Sequence, residues 1–462
     1  MTVTAAIPVR FLNLVVPLAT GHRHAHQGNH RAAPGRSRAV SPLIGPGLRR
    51  GDVDSTTRRS TPPTTPGIRT LPMATRTTTT RTTPFGLAPS ADPIPAGHAD
   101  FSIEELAQAY FDCRRAKRTS RSALNFEIDL ERNLLALAEE LRSGTYQPGP
   151  SICFVVTHPK PREVWAAQFR DRIVHHLLYN RIADRFHRRF IADSCACIPG
   201  RGTLYAAQRL ERKVRSVTEN WQHRAHYLKC DLANFFVSID KRILHQQLLA
   251  RIPEPWWRAL ATLVLFHDPR EHHEVRGRRD LLERVPAHKR LGEQPAHLGL
   301  PIGNLSSQFF ANVYLDALDQ FVKHRLRARH YIRYVDDFVL LHRDPAWLTD
   351  AHRQIEAFLP ATLAAQLNPR KTIIQPVDRG IDFVGQVIKP WHRTTRRKTV
   401  RHAEHRIATL PRAQLRDTAN SYFGLLRQAT HSERDRMRLA RALFRRGKAV
   451  NRALTQTYGG RA

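Results

Sequence analysis

The stretch that most restricts the fold of this chain is residues 331–341, with the sequence YIRYVDDFVLL. Aromatic and β-branched residues on both sides of two adjacent acids favour β-strands, and aspartate is a common turn residue. The pattern predicts a β-hairpin that carries Asp336 and Asp337 at its bend. For an isolated pair of acids, the simpler interpretation is a surface hairpin whose aspartates only form the turn. Adjacent carboxylates repel unless cations compensate them, so a second acid on a similar strand would indicate a metal site instead.

Residues 227–240, with the sequence YLKCDLANFFVSID, supply that second acid. The pattern predicts an apolar strand that ends at Asp231 and is followed by a tight, aromatic-rich turn. Proteins usually hold Mg²⁺ with one or two carboxylates plus substrate phosphates. Asp231 and Asp336 together could hold two ions roughly 3.5–4 Å apart, one activating a hydroxyl and one stabilising a leaving pyrophosphate. The two stretches therefore predict metal-assisted phosphoryl transfer.

The overall charge indicates the class of partner. The chain has 462 residues and a formal net charge of +34 at pH 7. Such a field attracts polyanions, which makes nucleic acid the expected partner, with a membrane surface as the alternative. No apolar run approaches the roughly 20 residues that span a bilayer, so we expect no membrane association. The odd number of cysteines, five, gives no disulfide framework and fits a reducing cytoplasm.

The first part of the chain differs from the remainder. Residues 1–98 are rich in Thr, Pro, Arg and Gly and have almost no periodic apolar pattern. Such a segment cannot bury enough surface to offset its ordering entropy, so we predict a disordered, basic, low-complexity extension. Beyond it, Ser102 and Glu105 match a capping box that opens a helix, and a second helix is expected over 126–142. An apolar strand follows at 151–156, with a hairpin that leads into another helix.

Residues 299–308, GLPIGNLSSQ, are predicted to open a long helix. A glycine-containing turn at a helix start leaves backbone N–H groups free and lets a nucleotide approach closely. The intervening segment 267–298 is expected to be a polar loop. Further along, the pattern predicts a helix over about 350–365, an apolar β-hairpin over 381–388, and a basic helical segment from Trp391 onward.

Taken together, the Tyr-Val-Asp-Asp sequence, the upstream strand aspartate and the Phe-Phe pair after it resemble the palm of a reverse transcriptase. The resemblance covers roughly residues 120–430, with the motifs in family order. It implies an α+β right-hand polymerase with fingers, an antiparallel palm sheet and a small helical thumb, plus the disordered N-terminal extension. The expected boundaries are 99–225 for fingers and N-terminal helices, 226–390 for the palm with an insertion at 251–298, and 391–462 for the thumb.

The resemblance also implies a set of site residues. The implied catalytic residues are Asp231, Asp336 and Asp337, and the implied cofactor is two Mg²⁺ ions, with Mn²⁺ as a possible substitute. Asp231 and Asp336 would bridge the ions, the Leu232 carbonyl would complete the coordination, and Asp337 is either a ligand or a group that tunes its neighbour. The implied nucleotide-binding residues are Lys160, Arg162, Phe236, Ile302, Gly303, Gln308 and Lys371. The implied primer grip is Phe383, Val384 and Gly385.

Within the family, two stretches indicate a subtype. The Ile302-Gly303-Asn304 turn with Ser307-Gln308, and residues 169–176 (FRDRIVHH), resemble the reverse transcriptases of diversity-generating retroelements. Those enzymes copy a template-repeat RNA into cDNA with frequent errors at adenines, and they work with a small basic accessory protein. The partners this implies are an RNA template, a DNA or RNA primer, dNTPs and the cDNA product. A cytoplasmic protein from a bacterial or phage-encoded element is expected.

Three alternatives remain open at this point. A group II intron maturase usually adds a DNA-binding region and often a Cys/His nuclease module after the thumb, whereas the segment after Gly385 is short and contains no cysteine. A retron or phage-defence reverse transcriptase shares the same motifs. A non-enzymatic RNA-binding protein would explain the charge, but it gives no reason for three aspartates at these positions.

Overall fold

The computed structural model describes residue 94 and residues 99–115, 120–157 and 160–458. The predicted disordered extension lies outside these residues, apart from Ile94, which is buried. The fold mixes helices with three β-sheets.

The helices and strands of the described residues have the following bounds. The helices are α1 (Ile103–Arg114), α2 (Arg121–Glu127), α3 (Leu130–Ser143), α4 (Phe169–His187), α5 (Thr203–Val217), α6 (Phe235–Ser238), α7 (Lys241–Leu249), α8 (Pro255–Phe266), α9 (Asp280–Glu283), α10 (Leu305–Gln320), α11 (Pro345–Leu363), α12 (Arg397–Thr409), α13 (Arg412–Leu426) and α14 (Glu433–Phe444). The strands are β1 (Ser151–Val156), β2 (Arg162–Ala166), β3 (His226–Asp231), β4 (His273–Val275), β5 (His330–Tyr334), β6 (Asp337–His342), β7 (Ile373–Pro376), β8 (Ile381–Phe383), β9 (Gln386–Lys389) and β10 (His392–Thr395).

The N-terminal helices match the prediction only in part. The capping box forms as expected: Glu105 N–H donates to Ser102 Oγ at 3.2 Å, and Ser102 N–H donates to Glu105 Oε2 at 3.0 Å. The second helix, predicted over 126–142, is confirmed from Leu130 onward as α3, but its predicted start is wrong, because the chain leaves helical geometry at Asp129 and α2 ends before it. The side chain of Asn133 donates to the Phe126 carbonyl across this break at 3.0 Å.

The central sheet has the strand order β5-β6-β3-β7 and is antiparallel throughout. The predicted hairpin is confirmed, with β5 and β6 paired from His330 and Leu341 to Tyr334 and Asp337. Side chains alternate between the two faces of the sheet. Leu228 and Phe338 pack on one face with residues of α10 and α11, while Tyr227 and Val339 pack on the other face with residues of α5. Both faces are thus buried, and the sheet is rigid enough to position groups at its ends.

The other two sheets have three strands each. Strands β1 and β2 form the predicted hairpin that leads into α4. The segment 267–298, expected to be a polar loop, instead supplies β4, which pairs in parallel with β1. The carboxylate of Glu163 fastens this segment to β2 by accepting the Leu291 N–H at 2.6 Å. Strands β8, β9 and β10 form the third, antiparallel sheet, and α12 to α14 pack around a separate apolar core. Within the described residues, no helix combines the length and apolarity that crossing a membrane requires.

Candidate active site

The three predicted aspartates lie together at one end of the central sheet. Asp231 is the last residue of β3 and is the direct cross-strand partner of Asp337, the first residue of β6. Asp336 occupies the turn just before β6, and its carbonyl accepts the Leu232 N–H at 3.3 Å. Residues far apart in the chain therefore meet because antiparallel pairing brings the end of β3 to the start of β6.

The charges in this cluster affect one another. Burial first and the carboxylate of Asp231 second raise the pKa of Asp336 to about 6, although Lys371 and Arg162 act in the opposite direction. Burial also raises the pKa of Asp337 to about 6, against the lowering effect of Lys229. The ionised forms are disfavoured because partly buried carboxylates lose hydration and repel each other. A cation placed among them would relieve both costs.

Two lysines hold two of the aspartates in different ways. Lys371 Nζ lies 2.6 Å from Asp231 Oδ1, and its side chain is 49% exposed. Lys229 Nζ lies 3.0 Å from Asp337 Oδ2 and also donates to the Asp382 carbonyl at 2.6 Å. Lys229 thereby ties Asp337 to strand β8, whereas the contact of Lys371 with Asp231 is open to solvent and adds little stability.

The carboxylate oxygens of this cluster fit a metal ion that is also bound by the phosphate oxygens of a substrate. Among the residues that the structure describes, no three His, Cys, Asp or Glu side chains form a complete metal site on their own. Mg²⁺ does not require one, since it is usually bound by one or two carboxylates with phosphate and water oxygens filling the remaining positions. Asp337 Oδ1 is buried and has no hydrogen-bond partner, so it is an oxygen acceptor still available at the site. The coordinating role predicted for the Leu232 carbonyl stays a prediction.

The turn at Ile302-Gly303 docks on strand β2. Ile302 accepts the Trp165 N–H through its carbonyl at 2.8 Å. Gly303 has φ +134°, and a Cβ at that position would lie 2.9 Å from the Trp165 carbonyl oxygen. Only glycine tolerates both this backbone conformation and this contact. Arg162, at the start of the same strand, is close enough to lower the pKa of Asp336, so β2 brings the turn and Arg162 to the aspartates.

The remaining nucleotide-binding candidates lie in different environments. Phe236, on α6, is half-buried, and its carbonyl accepts the Leu300 N–H at 2.8 Å, which joins α6 to the segment before the turn. The amide oxygen of Gln308 accepts from Cys197 Sγ at 3.3 Å, so this side chain is directed to the loop before α5. Lys160 is exposed in the bend before β2. The binding roles assigned to these residues stay predictions.

The predicted primer grip is the bend of the β8–β9 hairpin. Phe383 is buried in the core beneath the central sheet, while Val384 and Gly385 form the bend with φ values of +44° and +88°. The Lys229 contact to the Asp382 carbonyl joins this hairpin to Asp337. The hairpin is therefore adjacent to the aspartates, and its role with a primer stays a prediction.

Sequence reasoning did not single out Lys229 or Arg333. Both are cations within otherwise apolar strands, which is the signal that would have found them, since a charge in a buried strand needs a partner. Lys229 lies two residues before Asp231 and so shares its face of β3. Arg333 is fully buried and forms an ion pair with Asp319 of α10.

The mixed fold, with acids at the end of an antiparallel sheet, has the architecture of a right-hand polymerase. The family model described as reverse transcriptase (RNA-dependent DNA polymerase) matches residues 158–388, which is half of the chain. The protein belongs to the reverse transcriptase family. The α+β right-hand fold expected from the sequence is confirmed.

Two telomerase structures illustrate the distant structural similarity. A structure of telomerase from Candida albicans in complex with a TWJ fragment of telomeric RNA has 14% identity and a TM-score of 0.37, covering 64% of this chain and 54% of that one. An apo telomerase from Candida tropicalis, truncated from its C-terminal domain, has 10% identity and a TM-score of 0.39, covering 54% of this chain and 56% of that one. The chain thus spans about half the length of these telomerase chains. The comparison with curated proteins gave no match.

Proposed function

We propose that the protein copies an RNA template into cDNA by in-line attack of a primer 3′-OH on the α-phosphate of a bound dNTP. The observation that carries this proposal is the register that pairs Asp231 with Asp337 and leaves Asp336 in the adjoining turn. Bound divalent ions, Mg²⁺ by preference and Mn²⁺ as a substitute, would neutralise charge on the attacking and leaving oxygens. The protein contributes mainly position and electrostatic stabilisation.

Each charged residue has a distinct task in this mechanism. Asp231 and Asp336 would hold the ions, and Lys229 holds one oxygen of Asp337 while its other oxygen, Oδ1, has no hydrogen-bond partner. Lys371, which pairs with Asp231, has a half-exposed side chain that would turn towards the triphosphate. Arg162 approaches the same charges from β2, where a guanidinium can contact phosphate oxygens in a bidentate way.

A primer-extension assay tests this function. The full-length protein is given an RNA template, a DNA or RNA primer and dNTPs, and we expect cDNA from the wild type and none from Asp336→Ala. A non-enzymatic RNA-binding protein would bind the template equally in both forms and extend the primer in neither. Extension at the same rate by both proteins would also contradict the assignment, because it would show that Asp336 is dispensable.

We further propose the diversity-generating subtype, with errors concentrated at template adenines. The support is Ile302, whose carbonyl is fixed by β2 and whose side chain presents only methyl groups where commoner family members are expected to place a glutamine amide. A site with fewer directional hydrogen bonds discriminates less between bases. Changing Ile302→Gln should reduce adenine errors in sequenced cDNA, and an unchanged error pattern would contradict this explanation.

The subtype has two further consequences that can be checked. A gene neighbourhood with a template/variable repeat pair and a small basic accessory protein would support it, whereas a structured non-coding RNA would favour a retron. Phe236 is proposed as the gate against a ribose 2′-OH, so Phe236→Ala should admit ribonucleotides. Unchanged sugar selectivity in that variant would remove the role. A cytoplasmic location completes this proposal.

A further inference from the structure

Arg333 lies at the centre of a buried polar cluster beneath the aspartate turn. Its side chain and that of Asp319 are both 0% exposed. The guanidinium donates to Asp319 through Nε at 2.8 Å and through Nη2 at 2.6 Å. The hydroxyl of Tyr331 donates to the same carboxylate at 2.7 Å. This arrangement satisfies the buried acid and fixes the plane of the guanidinium.

The remaining donors of the guanidinium reach three other parts of the chain. Nη2 also donates to Ser194 Oγ at 2.9 Å, in the loop before α5. Nη1 donates to Asn312 Oδ1 at 3.2 Å, on α10, and to the Val335 carbonyl at 3.0 Å. Val335 is the residue immediately before Asp336. One buried side chain thus connects a loop, a helix and the turn that carries a proposed metal ligand.

The turn needs such support because its backbone is strained. Val335 has φ +56°, in the left-handed region. A β-branched residue rarely adopts this conformation, and it persists only where surrounding contacts hold it. The hydrogen bond from Arg333 to the Val335 carbonyl is one such contact, and it acts directly on the peptide that links Val335 to Asp336.

We propose that Arg333 is a positioning residue for the polymerase reaction: it holds the Val335–Asp336 turn so that the Asp336 carboxylate stays beside Asp231. The inference rests on the proposed role of Asp336 in holding divalent ions. Arginine suits this task because its planar fork serves Asp319 and the turn at once. A lysine could keep the charge pair with Asp319, but its single nitrogen cannot span both sites.

The test is Arg333→Lys in the full-length protein, measured by steady-state primer extension. We expect kcat to fall by about tenfold to a hundredfold, because a small displacement of a metal-holding group has an effect of this size. The KM for dNTP should change less than about twofold, since the residues proposed to bind the triphosphate are untouched. The Mg²⁺ concentration for half-maximal rate should rise.

Tyr331→Phe is the matched control. It removes a hydrogen bond from the same buried Asp319 carboxylate but leaves the Val335 contact intact. We expect a small loss of thermal stability and wild-type kcat. If kcat falls as much in Tyr331→Phe as in Arg333→Lys, the cluster has only a general structural role and the inference is overturned.

A rescue experiment examines the turn itself. Glycine adopts the left-handed conformation without strain, so Val335→Gly added to Arg333→Lys should recover part of the lost kcat. No recovery would overturn the inference.

If Arg333→Lys does not fold, the apolar replacement Arg333→Met with Asp319→Leu and Tyr331→Phe removes the ion pair without leaving a buried charge. That variant should fold and show the same loss of kcat, and wild-type kcat in it would also overturn the inference.

The wild type and Asp336→Ala are run in the same assay. An inactive wild type would contradict the proposed function itself. A third outcome is that the wild type is active, Asp336→Ala is inactive and Arg333→Lys is fully active. This outcome would leave the proposed function intact and would contradict only the positioning role of Arg333.

Discussion

Two clusters of charged residues lie next to each other in this protein, one around Asp319 and one formed by Asp231, Asp336 and Asp337. They differ in how far their carboxylate oxygens are hydrogen-bonded. In the first, the Asp319 carboxylate receives hydrogen bonds from Arg333 and Tyr331 on both of its oxygens, in a place that solvent does not reach. In the second, Asp231 and Asp336 repel each other, and Asp337 retains a buried oxygen with no hydrogen-bond partner. The two clusters are joined through Val335, whose carbonyl Arg333 holds.

The difference separates groups that stabilise the fold from groups available for chemistry. A buried carboxylate with every acceptor satisfied is stable but has nothing left to bind. Carboxylates held together with unused acceptors are costly for the folded state, yet they are ready to receive cations. Substitutions at the two clusters should therefore change different quantities, and the following predictions test that separation in order of expected size.

Asp336→Asn should abolish activity without harming the fold. We expect cDNA synthesis to fall by about a thousandfold or more, since a group that holds charge at the reacting centre is lost. The folded-state pKa of Asp336 is raised to about 6 from 3.8, so above pH 6 the ionised carboxylate opposes folding. The thermal midpoint of the variant at such pH values should equal or exceed that of the wild type. A clearly lower thermal midpoint in Asp336→Asn would show that Asp336 stabilises the fold, which contradicts the difference between the two clusters.

Asp319→Ala, in contrast, should destabilise the fold. Removing one partner of a fully buried ion pair leaves the Arg333 charge uncompensated, which costs about 3–5 kcal/mol. Urea denaturation measures the free energy of unfolding. The control is Asp350→Ala, which removes an exposed pair with Arg353 and should change stability by less than about 1 kcal/mol. Equal effects from the two variants would show that the buried cluster is not a stabilising element.

Lys371→Ala should weaken substrate binding. If this half-exposed side chain turns to the triphosphate, its loss removes a charged hydrogen bond and should raise the KM for dNTP by about tenfold to a hundredfold. Lys229→Ala serves as the contrast, since it leaves Asp337 without its buried partner and should lower thermal stability more. Steady-state kinetics and thermal melts on both variants distinguish the two lysines. An unchanged KM in Lys371→Ala would remove its substrate role.

The pH dependence of cDNA synthesis should show competition between protons and cations for Asp336 and Asp337. Asp336 and Asp337, with pKa values raised to about 6, are protonated and unable to hold a cation below that pH. At low Mg²⁺ the rate should therefore fall as the pH drops through about 6, and higher Mg²⁺ should move the midpoint to lower pH. Initial rates at two Mg²⁺ concentrations measure this shift. A midpoint that does not move with Mg²⁺ would assign the titration to another group.

Local patterns in the sequence predicted much of the fold. The aromatic and β-branched residues of 331–341 and the apolar residues of 227–231 were sufficient to predict the strands, and the capping box at Ser102 was sufficient to predict the start of α1. Local patterns failed where a tertiary contact competed with them. The pairing of β4 with β1 depends on a partner distant in the chain, whereas the break between α2 and α3 is local and is spanned by the contact of Asn133 with Phe126.

The amino-acid sequence by itself determined that three acids stand at the ends of apolar strands, since strand propensity and turn preference act over a few residues. Only the tertiary structure decided which cations meet those acids. Lys371 reaches Asp231 and Lys229 reaches Asp337, because antiparallel pairing and packing bring distant segments together. Charge balance at the site is a property of this long-range geometry, and no short stretch of sequence encodes it.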